Sequence, residues 1–343
     1  VSTGAPDLDA DVIVVGGGPV GLATAIEARL AGLTAIVLEP RVGPVDKACG
    51  EGLMPGALPL LHRLGVAPVG APLRGVSYRS PTRAVDHRFE TGPGLGVRRT
   101  TLHAALEGRA RAAGVVIEHT RADDVRQDEW GVTAGGMRAS WLFACDGLHS
   151  PTRRALGLER PVPARGRRFG IRQHYEIAPW NDLIEVHWTR GAEVYVTPLG
   201  LSLVGVAVLG APGTDYDAVV GETLGARLRD ARPVGDRRGA GPFRQRSTRV
   251  QHGRVLLVGD ASGYVDAITG EGLRLGFEQA RAAVSAVTGG AGYEQEWRRV
   301  TRPFRVLTSG LVRAASSPLR GGIVPLAARA PRLYGAVVER LAR

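Results

Sequence analysis

Gly16, Gly18 and Gly21 spell GxGxxG between an apolar β-branched run, Val12 to Val15, and a helical stretch from about Pro19 to Ala31 that Gly32 ends. Each glycine has its own steric task. The first permits a tight turn, the second lets the backbone approach a pyrophosphate, and the third lets helix and strand pack closely. The helix N-terminus then points its free N–H groups and its dipole at that diphosphate. Thr34 to Leu38 makes a second apolar strand, closed by Glu39, 18 residues after Gly21. An acid at that place accepts hydrogen bonds from adenosine ribose hydroxyls and disfavours a 2′-phosphate. The order strand, turn, helix, strand, acid predicts a Rossmann-type dinucleotide-binding unit.

At 343 residues the chain is too long for one minimal domain and short for two large ones, so an α/β body with an inserted subdomain is expected. Residues 1–10 are small and polar and read as a frayed leader. Thr101 to Ala113 reads as a helix followed by Gly114, and Val115 to Glu118 as the next strand. Trp141 to Ala144 and Arg254 to Val258 are further short strands, each running into a glycine and aspartate pair. Between them the period changes to two. Ile184, Val186 and Trp188 alternate with Glu185 and His187, and similar stretches follow near Glu193 to Pro198 and Leu201 to Val208. These predict an antiparallel meander facing the substrate. From Tyr293 helical periodicity returns, broken by Pro303, Pro318, Pro325 and Pro331. The expected division is a discontinuous nucleotide-binding domain over 1–75, 91–160 and 251–290, a substrate domain over 76–90 and 161–250, and a helical region over 291–343.

The net charge of +11 raises nucleic acid as a partner, but Lys47 is the only lysine and the arginines are scattered among acids. No nucleic-acid-binding motif or aromatic-interleaved basic run accompanies the charge, so none is expected to bind. Peripheral contact of the C-terminal region with an anionic membrane is compatible with it, and the oligomeric state is left open. Cys49 and Cys145 are the only cysteines, which excludes a disulfide framework and a CxxC zinc site. No metal is expected. A reducing cytoplasm fits, as does the lack of a secretory signal pattern or a run of about 18 apolar residues.

Cys145, Asp146 and Gly147 continue through Ser150 and Arg153, giving DGxxSxxR; Gly259, Asp260 and Ala261 run into GEGLRLG at Gly270 to Gly276. These segments, in this order, resemble the flavoprotein hydroxylase superfamily. The chain resembles more closely its geranylgeranyl reductase branch, through a KxCG turn at Lys47 to Gly50 and a GDAxGxxxxxTGEG stretch at Gly259 to Gly272. The resemblance spans nearly the whole chain. It implies the α/β fold class, with a glutathione reductase-like Rossmann domain binding FAD, an inserted antiparallel-sheet substrate domain and a helical C-terminus. By it, Asp146 and Gly259 belong to the cofactor site and Asp260 binds the ribityl hydroxyls. The helix beginning near Gly272, after Gly270, aims its N-terminus at the flavin pyrimidine ring. A helix N-terminus there has an independent use, since reduced flavin carries negative charge near N1. Asp260 as a plain helix cap is the alternative.

Arg99 begins RxxLHxxL, similar to the family's RxxFDxxL, whose arginine reaches the cofactor; His103 replaces the aspartate, and Arg98 is the alternative arginine. Val125 matches a position whose backbone meets the adenine. The resemblance puts Cys49 beside the isoalloxazine, either as a functional thiol or as a small packed hydrophobe. Glu51 reads as a proton donor or as the cap of a helix starting near Pro55. Tyr195, with Glu193, Thr197 and Pro198, stands where geranylgeranyl reductases carry YxWxFP, and the departure weakens a prenyl assignment. Gly263 and Ala267 replace the histidine and proline usual in hydroxylases, and the WxWxIP of flavin halogenases is absent.

The leading expectation is an FAD-dependent monooxygenase, reduced by NAD(P)H, that hydroxylates or epoxidises a hydrophobic aromatic or polyketide-like molecule. The alternatives are a carbon–carbon double-bond reductase acting on an isoprenoid, and a flavin carrier or electron-transfer protein without turnover. With one GxGxxG in the chain, no second Rossmann-type domain for the nicotinamide is expected.

Overall fold

The strand Ala10–Val15 is buried along its length and pairs in parallel with Ala35–Leu38 on one side and Met137–Ala144 on the other. A short, nearly all-apolar run suits this position, because strands covered by helices on both faces carry no polar alternation. The structure, a computed structural model, describes residues 7–343. The leader expected over 1–10 therefore lies outside the described residues up to 6, and at its end the chain is already tied down. Asp9 N donates to Arg138 O at 2.9 Å, and Arg138 N donates to Asp9 Oδ2 at 2.7 Å.

Val116–Glu118 extends the sheet beyond Ala35–Leu38, and Val255–Leu257 extends it beyond Met137–Ala144, both in parallel. Antiparallel strands Val132–Ala134 and Arg126–Gln127 are appended to its side. The helix Pro19–Leu30 lies on this sheet between the helices Arg99–Ala112 and Gly272–Val287. Ala23, Ala25 and Ala28, all fully buried, let it approach on several sides at once. Pro19 at its first position loses only a donor that would be unbonded there anyway.

A second sheet runs in the order Arg232–Ala240, Phe169–Glu176, Leu203–Gly210, Ala192–Gly200, Leu183–Trp188, Gly75–Arg79, Ala84–Arg88. All its pairings are antiparallel except Leu183–Trp188 with Gly75–Arg79. The expected meander is present, with Leu201 and Ser202 in the turn rather than in a strand. Its alternation sorts the side chains. Val194, Val196, Val204, Val206 and Val208 pack under the helix Tyr216–Leu228, while Tyr195, Thr197, Ala207 and Leu209 face the interior cavity. A small sheet of Gly52–Leu53, Gly94–Gly96 and Ala71–Leu73 joins the two; a Cβ on Gly96 would stand 1.8 Å from Pro198 O, so this contact admits only glycine.

The C-terminal helices close one side. Pro303 does not break its helix as expected: Tyr293–Ala315 is continuous, and Pro303 sits on its exposed face, where a missing helix bond costs least. Pro318 and Pro331 open helical turns rather than ending them, and Pro325 lies in the first turn of Ile323–Arg329. Among the described residues no helix is long and apolar enough to cross a membrane.

Candidate active site

A cavity of about 370 Å³ runs from the glycine turn after the first strand to the inner face of the seven-stranded sheet. Gly16, Gly18, Arg99, Asp146, Asp260 and Gly272 line one end; Tyr78, Ile184, Val186, Tyr195, Leu209 and Phe243 line the other. Lys47 to Gly52 lies between.

The glycine turn has the steric division expected of it. Gly16 has φ 99°, and a Cβ there would come within 2.7 Å of Cys145 O; on Gly21 it would come within 1.8 Å of Gly16 O. On Gly18 it would meet only Arg99 Nη2, at 3.8 Å, so the space over Gly18 is open toward the cavity. Glu39 closes the second strand: its Oε2 accepts from Gly17 N at 2.9 Å and its Oε1 from Arg41 Nε at 2.7 Å. Burial opposes the Glu39 charge, but the bonds from Arg41 and Gly17 prevail and hold the carboxyl below its ordinary pKa. His103 explains the departure from the family's aspartate. Its Nε2 donates to Gly17 O at 2.8 Å and so buttresses the turn, and burial lowers its pKa, which favours the neutral ring.

Arg98 Nε, Arg99 Nε and Asp146 Oδ1 are buried without a hydrogen-bond partner, while Asp146 Oδ2 accepts from Thr152 N at 2.9 Å. Buried donors and acceptors left this way call for a polar ligand. A dinucleotide, with anionic phosphates over Gly18 and hydroxyls near Asp146 and Asp260, fits the donor set and the open cradle. Asp260 lines the cavity and makes no side-chain cap bond, and the helix Gly272–Val287 begins at the cavity wall. Gly259 has φ 65° beside Val20, 2.9 Å from a Cβ placed there, and Gly270 has φ 71°. Val125 is half-buried against the main core, outside the cavity wall.

Glu51 has φ 58°, a conformation costly for a non-glycine residue and concentrated at functional sites. It does not cap the turn near Pro55, where Met54 precedes Pro55–Ala57. Its Oε1 accepts from Arg99 N at 2.8 Å, and its Oε2 lies 2.6 Å from His174 Nε2. Arg172 Nη1 donates to His174 Nδ1 at 3.1 Å, so the ring's proton sits on Nε2 and points at Glu51. Arg172 in turn pairs with Asp46. Glu51, His174 and Arg172 are all buried. His174, Arg172 and Asp46 escape a reading by motif, although the period of two along Phe169–Glu176 puts Arg172 and His174 on one face. Cys49 is half-buried in the cavity wall, its sulfur 3.4 Å from Glu51 N. Cys145 is buried and its thiol is pushed up to about 12 by that burial, which leaves it inert. Tyr195 OH donates to Ile268 O at 3.0 Å and Thr197 Oγ1 to Gly50 O at 2.9 Å, so both residues pin loops around the cavity.

Residues 9–189 match the family model for an FAD binding domain. The chain belongs to this family. FAD is accordingly the dinucleotide that the cradle takes. The chain is 30% identical to rifampicin monooxygenase of Streptomyces venezuelae, over 79% of its own length and 62% of that protein's. It is 29% identical to menaquinone reductase of Mycolicibacterium smegmatis, over 84% and 79%. It is also 29% identical to 12-dehydrotetracycline 5-monooxygenase/anhydrotetracycline 6-monooxygenase of Streptomyces rimosus, over 79% and 61%. The chain thus spans about 60% of the length of these two monooxygenases. In fold, this FAD-binding chain superposes on a flavin-dependent brominase with a TM-score of 0.78 at 19% identity, covering 97% and 93% of the two chains. A geranylgeranyl bacteriochlorophyll reductase-like protein from Thermoplasma acidophilum gives 0.74 at 20%, covering 89% and 87%.

Proposed function

We propose that this FAD-binding chain is a monooxygenase that hydroxylates or epoxidises a hydrophobic aromatic or polyketide-like small molecule, with NAD(P)H as reductant. The observation that carries the reading is the continuity of the cavity: an apolar chamber walled by Tyr78, Ile184, Val186, Tyr195 and Phe243 opens onto the flavin cradle at the Cys49–Glu51 turn. Bound FAD supplies electrons from the reductant to oxygen, and thence one oxygen atom to the substrate. The chain's own part is to hold an apolar molecule against the turn and keep water out. Glu51, oriented by Arg99 N and His174, exchanges a proton with the reacting molecule at its carboxylate oxygens. Cys49 shapes the same wall, and Tyr195 fixes the loop at Ile268. Arg99, Asp146, Asp260 and the turns at Gly259, Gly270 and Gly272 serve the flavin half of the cofactor, and Gly16, Gly18, Gly21 and Glu39 its adenosine half. The division expected from sequence, with FAD held by 1–75, 91–160 and 251–290 and substrate by 76–90 and 161–250, belongs to this reading.

Turnover with NADPH under ¹⁸O₂, across a panel of phenols and aromatic polyketide aglycones, tests it. Products heavier by one ¹⁸O are expected; products reduced by two hydrogens, formed equally without oxygen, would overturn it. The second reading, reduction of an isoprenoid double bond in the geranylgeranyl reductase manner, is favoured by the match along 79% of a menaquinone reductase. Peripheral contact of 291–343 with an anionic membrane goes with that reading, since residues 298–343 carry ten arginines against Glu339 as their one acid.

A further inference from the structure

Apolar walls set the size of a guest but not its direction, which takes a placed polar group. In the chamber end lined by Tyr78, Ile184, Val186, Tyr195, Leu209 and Phe243, the side-chain hydroxyls can be accounted for in turn. Tyr195 OH is committed to Ile268 O, and Thr197 Oγ1 of the same strand to Gly50 O. Tyr264 belongs to the cofactor end, its hydroxyl 3.5 Å from where a Cβ on Gly272 would stand. Tyr78 remains. Among the described residues its hydroxyl has no hydrogen-bond partner, and it is not one of the unpartnered atoms sealed away from all surface.

Tyr78 stands opposite Val186 in the parallel pair of Gly75–Arg79 with Leu183–Trp188, and the period of two turns it, with Val76, toward the chamber. Its ring is clamped. The Trp188 ring meets it edge-on with centroids 5.4 Å apart, and the Tyr334 ring lies tilted against it at 5.0 Å. Tyr334 is itself pinned, its hydroxyl donating to Val76 O at 3.0 Å, and Val338 and Leu341 of its helix, Pro331–Ala342, line the same chamber. With the ring fixed, only the O–H is free to turn. Burial, and then the negative charge of Glu193, push the Tyr78 pKa up, so the group keeps its proton and stays a donor. A hydroxyl unpaired among apolar walls carries a cost that an oxygen of the guest would relieve.

We propose that Tyr78 orients the substrate, its hydroxyl donating to a carbonyl oxygen carried at the end of the molecule remote from the flavin. The chamber then takes an aromatic ketone in one direction, where a plain hydrocarbon of the same shape would enter in several. The inference deepens the proposed function by naming a feature of that substrate, and it rests on the chamber rather than on oxygen transfer. Binding to the oxidised, FAD-loaded protein without reductant tests it with two molecules of one shape: 1-tetralone, which has the carbonyl, and tetralin, which lacks it. Tyr78→Phe should weaken 1-tetralone roughly fivefold and leave tetralin unchanged. FAD content and melting temperature should hold, because the hydroxyl makes no bond within the protein. Infrared difference spectra with carbonyl-¹³C 1-tetralone should show the bound C=O band lowered from its position in hexane in the parent and moved back up in Tyr78→Phe. A ring that served only as packing would not produce that shift. Should Tyr78→Phe not fold, the band in the parent decides alone, and an unlowered carbonyl overturns the assignment. So would equal weakening of both molecules, an unchanged affinity for 1-tetralone in the variant, or binding of neither by the parent. A product without ¹⁸O alongside an intact Tyr78 effect would sink the monooxygenase reading and leave this one standing.

Discussion

Two glycines of the same turn, Gly18 and Gly21, separate ligand binding from folding. Gly21→Val places its side chain against Gly16 O, where even a Cβ is 1.8 Å away, so it should destabilise the protein by ~4 kcal/mol or more. A Cβ on Gly18 meets no atom closer than Arg99 Nη2, at 3.8 Å, so Gly18→Val should melt like the parent yet lose FAD, because its branches fill the space of the pyrophosphate. Melting temperature and FAD content after reconstitution check both, and an FAD-replete Gly18→Val would contradict the cradle. The two cysteines divide similarly. Iodoacetamide at pH 8 should label Cys49 in the native protein and spare Cys145, which stays a buried thiol at that pH, and FAD should slow the labelling. Mass spectrometry showing Cys145 labelled first would refute this.

His103 gives a pH signature. Burial lowers its folded pKa below the 6.5 of the unfolded chain, so its contribution to stability is present above 6.5 and is lost as pH falls toward the folded value. His103→Gln, which can still donate to Gly17 O, should lose less stability than the parent between pH 7 and 5 in denaturant titrations. An identical pH profile would remove the account.

At the scale of elements, the turn Lys47–Gly52 shows what was legible in the chain and what was not. The GxGxxG glycines and the acid that follows them are local in sequence: Gly16, Gly18, Gly21 and Glu39 all lie within one βαβ unit, and steric rules relate them directly. The same holds for the alternation that sorts Val194 and Val196 from Tyr195 and Thr197. Glu51 was recognisable as a candidate from its glycine flanks, but its partners are not local. His174 joins it across 123 residues and Arg172 meets Asp46 across 126, contacts that exist only once this turn is packed against the strand Phe169–Glu176. Pro303 misled for a related reason, since its cost depends on which face of the helix meets water, and that is decided by the packing of neighbouring residues such as Thr301 and Thr308.

For the whole molecule, the carboxylate of Glu51 has an effect larger than its size. One of its oxygens is held by the backbone at the start of Arg99–Ala112, on the flavin side; the other is held by a histidine of the strand Phe169–Glu176 in the far sheet. Glu51 thus ties the two halves of the protein together next to the cofactor. A shift of the Arg99 end on cofactor loading is therefore expected to register at His174 and so at the chamber wall. Hydrogen–deuterium exchange should show amides of Phe169–Glu176 slowing when FAD binds, and Glu51→Gln should weaken that response more than it weakens FAD retention. A chamber that tightens only after its cofactor arrives would be assembled in sequence, cofactor first, with an empty protein presenting a looser mouth to the molecules it is meant to select.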